Sequence, residues 1–130
     1  MTEMKKLPDA ELDIMKVVWQ MEPPVTTGML LDGLARDTGK EWKLQTLHTL
    51  LNRLVERGFL SFEKKSKEKC FYPLVNKDNY LRFETKSFVK QMHGGSLLSL
   101  VNTAYQGESL SDDDVDELVQ WAAAKRRDHS

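Results

Sequence analysis

A chain of 130 residues, 40% hydrophobic and 30% charged, suffices for one folded domain, or for one domain with a small appendage. It contains no apolar run of about 18 residues, which excludes a membrane-spanning helix, and no apolar stretch after its N-terminal lysines, which argues against a secretory signal. A single cysteine excludes an internal disulfide and suits the reducing cytoplasm, while a formal net charge of −1 argues against a general nucleic-acid coat protein.

The first predicted element is a helix of about four turns, because Ala10, Ile14, Val17, Val18 and Met21 recur at helical spacing. Asp9, Glu11 and Asp13 lie near its N-terminus, where the helix dipole favours negative charge, and Pro23-Pro24 ends it. Val25 is placed as a very short strand. Thr26 or Thr27 can cap a second helix through Leu30, Leu31 and Leu34, closing near Gly39. A few polar residues later, Trp42 anchors the start of a third helix, which gives the spacing of a helix-turn-helix.

That third helix is the most informative segment. Leu47, Leu50, Leu51 and Leu54 form one buried stripe. The opposite side shows Gln45, Thr49 and Asn52, flanked by Thr46, His48 and Arg53, with Lys43 at its start. Short or planar hydrogen-bonding side chains of these types can read base edges in a major groove. Gly58 is expected to end the helix in the left-handed conformation. Leu60–Lys64 and Lys69–Tyr72 then alternate as two strands joined by a lysine-rich connection, and Pro73 ends the second. Three helices followed by a hairpin is the winged helix-turn-helix order. From Lys40 to Pro73 there are eight Lys/Arg against four Asp/Glu, whereas Gln91 to Ser130 has three against seven. Positive charge therefore gathers where a phosphate backbone would lie.

The fold class expected is mainly α with a small β-hairpin: a winged helix-turn-helix domain over residues 1–75, then a helical dimerisation region over 76–130. Asn76 or Asp78 begins a helix interrupted at Gly94-Gly95, and a second short apolar segment follows. Ser111-Asp112-Asp113-Asp114 opens a last helix as a variant capping box, with Lys125, Arg126 and Arg127 in its final turn. Three such short helices do not bury their own apolar faces, and a second copy of the chain is the most economical cover. The side chains assigned to that contact are Tyr80, Phe83, Phe88, Leu97, Leu100, Val101, Tyr105, Val115, Leu118 and Val119. A fragment ending at Asn76 is then expected to fold as a monomer.

Asp9–Trp19, the Gln45–Leu54 stretch and Phe71-Tyr72-Pro73 closely resemble the penicillinase-repressor family, which includes repressors of β-lactam resistance and copper-responsive relatives. The resemblance runs from about Leu7 to Lys125. It implies a homodimeric repressor on a palindromic operator of double-stranded DNA, controlling a resistance or stress-response operon, with a sensor or protease that relieves repression. By position it puts DNA contacts on Gln45, Thr46, Thr49 and Arg53, with wing lysines at Lys64, Lys65 and Lys67. His48 and Lys43 flank the same face and join that set. Two departures matter. The Asn-Phe bond cut in the β-lactam repressors corresponds to Thr103-Ala104, which counts against regulatory cleavage at these positions. The cysteine pair of the copper-responsive members is missing from a chain ending Lys-Arg-Arg-Asp-His-Ser, which excludes copper sensing by that route.

Other features have plainer readings. Cys70 is expected as a buried structural thiol, and Trp19 and Trp42 as packing residues. His93 and His129 have no ligand-like spacing with Cys70, so neither a metal nor another cofactor is expected. No nucleophile elbow or phosphate-binding glycine loop supports catalysis. The alternative to a repressor is a winged-helix module whose polar helix face meets a protein; the local excess of Lys/Arg weighs against it.

Overall fold

The computed structural model describes residues 4–129. The chain runs α1 (Asp9–Gln20), β1 (Val25–Thr26), α2 (Thr27–Thr38), α3 (Leu44–Glu56), β2 (Leu60–Lys65), β3 (Glu68–Pro73), α4 (Lys77–His93), α5 (Leu97–Gln106) and α6 (Asp112–Asp128). It divides into two compact units, Met1–Glu84 and Thr85–Ser130. Among the described residues no helix is long and apolar enough to cross a membrane.

The first unit is a winged helix with a three-stranded antiparallel sheet in the order β1-β3-β2. Val25 pairs with Phe71 and Thr26 with Cys70, so the two-residue β1 closes the free edge of β3. The Thr26 hydroxyl accepts from Met29 N–H and caps α2, while Gly39, in the left-handed region at φ 70°, ends that helix. Ile14, Met15, Val17 and Val18 of α1 meet Leu30 and Leu34 of α2 and the Leu47, Leu50, Leu51 and Leu54 stripe of α3 in one core. Gly33 lets α1 and α2 approach: a Cβ there would lie 2.5 Å from Val17 Cγ1. Trp19 and Trp42 pack on this core half-buried, and Cys70 is buried.

The exit from α3 follows the pattern expected from Gly58. Its φ is 81°; Gly58 N–H donates to Val55 O and Phe59 N–H to Leu54 O, the paired bonds of a Schellman motif. Phe59 and Leu54 are both buried, completing the apolar contact that accompanies that motif. The chain therefore leaves α3 in a fixed direction and enters β2 at once.

Glu11 lies in the first turn of α1, as expected, and the structure adds that it is 1% exposed and that its Oε1 accepts from Arg57 Nη1 at 2.8 Å. One sequence expectation is corrected here. Tyr80, assigned to the dimer contact, is 3% exposed in the core of the first unit. Its hydroxyl accepts from Leu7 N–H at 2.8 Å, and its ring lies 5.6–6.0 Å from those of Phe59, Trp19 and Phe83. A side chain enclosed this way has no surface left for a partner. Phe83 packs partly buried on the same core.

In the second unit, Gly94 and Gly95 both take positive φ and separate the end of α4 from α5. The Ser96 hydroxyl caps α5, and Ser111 with Asp114 forms a complete capping box at α6. The backbone and hydroxyl of Ser111 hold the Asp114 carboxyl below its ordinary pKa. No residue of α5 or α6 is buried.

Candidate nucleic-acid interface

Helix α3 is held at both ends by side chains that its own sequence does not contain. At its N-terminal end, the Thr38 hydroxyl donates to Leu34 O at 2.7 Å and accepts from both Lys40 N–H and Trp42 Nε1–H at 3.3 Å. One threonine thus ties the end of α2, the turn and Trp42 together. At its C-terminal end, the Arg57–Glu11 pair joins α3 to α1. The leucine stripe fixes the helix's roll, and these two anchors fix its tilt.

With Leu47, Leu50, Leu51 and Leu54 turned inward, Gln45, Thr46, His48, Thr49, Asn52 and Arg53 are all exposed. Gln45, His48, Asn52 and Arg53 make no side-chain hydrogen bond or ion pair to other described residues, so their donors and acceptors are free for a ligand. Thr49 differs: its hydroxyl donates to Gln45 O at 3.1 Å. With that proton spent, Thr49 offers a methyl group and oxygen lone pairs, which suit a thymine methyl or an exocyclic amine. Asn52 lies only about 20° around the helix from Gln45, nearer the centre of the outward face than Arg53 at about 80°. Lys43 occupies the N-cap position and makes no side-chain capping bond, leaving its ammonium exposed beside the first turn of α3.

Lys64, Lys65 and Lys67 lie exposed toward the tip of the β2–β3 hairpin, where Ser66 turns the chain at φ 58°. Lys69, which the alternation pattern treated only as a strand residue, stands opposite Lys64. Its ammonium lies 4.6 Å from the centroid of the Phe62 ring. Among the described residues no group of three or more His, Cys, Asp or Glu is gathered to hold a metal ion.

In the second unit, Phe88, Leu97, Tyr105, Leu118 and Val119 are exposed, while Leu100, Val101 and Val115 are half-buried. Met92, Leu98 and Trp121, outside the set assigned to the dimer contact, are more than half exposed as well. Thr103 and Ala104 lie inside α5, and the Thr103 hydroxyl donates to Ser99 O at 2.9 Å.

Comparison with known proteins agrees with this geometry. The family model described as Penicillinase repressor matches residues 7–124. The penicillinase repressor of Bacillus licheniformis is 30% identical over 120 residues, covering 90% of this chain and 91% of that protein. The methicillin resistance regulatory protein MecI of Staphylococcus aureus strain N315 is 27% identical over 113 residues, covering 87% of this chain and 89% of its own. The solution structure of the DNA binding domain of the repressor BlaI matches with a TM-score of 0.51 at 28% identity, over 62% of this chain and 94% of that one.

Proposed function

Since the chain belongs to the penicillinase repressor family, we propose that it is a cytoplasmic transcriptional repressor that binds a palindromic operator as a homodimer. The family is one of repressors rather than enzymes, and no catalytic role is assigned. The observation that carries the proposal is the outward face of α3: the exposed side chains of Gln45, His48, Asn52 and Arg53, free of partners among the described residues, on a helix anchored at both ends. Each copy inserts this helix into a major groove, and two-fold symmetry sets the two half-sites about one helical turn apart, or a multiple of it. Gln45 and Asn52 have the geometry to pair bidentately with adenine and Arg53 with guanine, while Lys43 and the wing lysines hold phosphates.

The dimer reading is supported by the second unit, whose α5 and α6 carry apolar side chains but bury none of them. A two-fold partner presenting the same surfaces would cover them. The regulated genes would be a resistance or stress-response operon, with a sensor or protease as the relieving partner. Relief by cutting between Thr103 and Ala104 is not part of this reading, because the bond lacks the family's Asn-Phe pair and lies within a helix.

The test is a gel shift with the full chain on the DNA upstream of its own gene, across a salt series, beside a scrambled control. A shift confined to the upstream DNA, weakening as salt rises, is the expected result. No preference over the scrambled DNA, or affinity indifferent to salt, overturns the repressor reading and leaves a protein-binding role for the same helix face. Sedimentation of the full chain tests the dimer separately.

A further inference from the structure

The first unit contains an open cavity that operator binding does not use. Its volume is about 450 Å³, within the range of small-molecule sites, and it lies where the end of α1, the end of β3 and the start of α4 meet. Trp19, Met21 and Leu74 supply apolar wall, and Asn76, Lys77 and Asn79 supply the polar lining. The wall is held in place by bonds of its own. Trp19 Nε1–H donates to Val75 O at 2.9 Å, and its ring lies 5.8 Å from that of the buried Tyr80. Leu74 N–H donates to Phe59 O at 2.8 Å, yet its side chain is 59% exposed. With its N–H spent, the indole offers the cavity only apolar and π surface. Walls fixed in advance lose little freedom when a ligand arrives.

The polar lining has one chemical sign. Asn76 Oδ1 accepts from Asn79 N–H at 2.8 Å, and Asn79 Oδ1 accepts from Arg82 Nη1 at 3.1 Å. A backbone N–H and a guanidinium only donate, so these bonds fix which atom of each amide is the oxygen. Both side-chain oxygens are thereby engaged, and both NH2 groups are left without a partner among the described residues. Lys77 adds an ammonium, and no acidic side chain lines the cavity. The donors are side chains rather than the helix end, because Asn79 N–H is already spent on the Asn76 cap. Three donor groups beside an apolar wall select a ligand that brings acceptors, and the lysine selects a negative charge. The geometry points to a binding site for a small organic carboxylate, its apolar body on Trp19, Met21 and Leu74 and its anionic end on Lys77 and the two asparagine amides. The site lies within the first unit and does not depend on DNA binding.

The experiment follows the indole N–H signals of Trp19, Trp42 and Trp121 by NMR in the full chain while 2-naphthoate, neutral 2-naphthamide or cationic 2-naphthylmethylamine is added. The three ligands share one ring system and differ in the charge of its substituent. Naphthoate should shift the Trp19 signal, leave those of Trp42 and Trp121 in place, and bind about tenfold more tightly than the amide, the worth of one charge-assisted hydrogen bond. Lys77→Gln, at an exposed position, should erase that preference. Asn79→Asp keeps an acceptor for Arg82 but sets a carboxylate where the amide donor stood, so it should favour the amide over naphthoate. Leu74→Ala should weaken both ligands alike. The same spectra show that each variant is folded. No Trp19 shift at millimolar naphthoate, shifts spread over all three tryptophans, equal affinity for the three ligands, or a preference untouched by Lys77→Gln overturns the site.

Discussion

Tyr80 shows how much one side chain can hold. Among the described residues, its hydroxyl is the partner of Leu7 N–H, a donor buried away from water. Tyr80→Phe keeps the ring packing and orphans that donor, at a cost of about 1–3 kcal/mol, to be read from urea unfolding. Burial raises the Tyr80 hydroxyl above its ordinary value, aided by Glu84 and opposed by the bond from Leu7. Because the folded value lies above the unfolded one, this contribution is fully present below about pH 10 and is lost as pH rises through the folded value. The alkaline decline in stability should therefore be steeper in the unaltered protein than in Tyr80→Phe. On the outward face of α3, if it reads DNA as proposed, Arg53→Ala and Asn52→Ala should each weaken operator binding by about 1–3 kcal/mol and relax preference at one base pair. A uniform loss across all sequences, measured by competition with single-substituted operators, would instead mark that residue as a phosphate contact. The exposure of Gln45, Asn52 and Arg53 was legible from sequence because exposure on a helix follows from the stripe opposite it. The role of Tyr80 was not, since an aromatic residue at helical spacing does not say which core receives it.

At the level of elements, α3 works because structures distant in sequence keep it still. Glu11 and Arg57 are 46 residues apart, and nothing local signals their pairing. An acid in the first turn of a helix reads as a dipole partner, and its second role, a buried partner for Arg57, shows only in the fold. Arg57→Ala would leave the Glu11 carboxylate buried and alone. Arg57 is 40% exposed, so water can partly replace it, and the expected loss is at the low end for a broken buried pair, about 3 kcal/mol. Replacing both residues, as in Glu11→Leu with Arg57→Met, should recover much of that stability, since no buried charge is then stranded. Denaturant unfolding of the single and double variants checks this; a double variant as unstable as Arg57→Ala would show that packing, not charge, is at stake. By contrast the Schellman turn at Gly58, the Thr26 cap and the Ser111–Asp114 box were legible, because each depends on residue types within a few positions of one another. The pairing of β1 with β3 was not, because a two-residue strand names no partner.

For the whole molecule, the boundary between the two units decides what a fragment can do. Asn76 looks like a natural end because it precedes a helix start, and its side chain caps α4 by accepting from Asn79 N–H. The compact first unit nevertheless extends to Glu84, and the first turns of α4 belong to its core through Tyr80 and Phe83. A fragment ending at Asn76 would strip the Tyr80 ring that packs on Trp19 and Phe59 and leave Leu7 N–H without its acceptor. Losing a core aromatic typically costs about 3–5 kcal/mol, a large share of the stability of a small domain. A fragment ending at Glu84 keeps those contacts and should unfold cooperatively at a distinctly higher temperature than one ending at Asn76. Both lack α5 and α6, so both should sediment as monomers while the full chain sediments as a dimer. The Glu84 fragment should still recognise a half-site, but without the tethered second copy its affinity for the full operator should fall by about 10²–10⁴. If that fragment sedimented as a dimer, or bound the full operator as tightly as the intact chain, dimerisation would have to lie in the first unit, and the exposed apolar faces of α5 and α6 would need another partner.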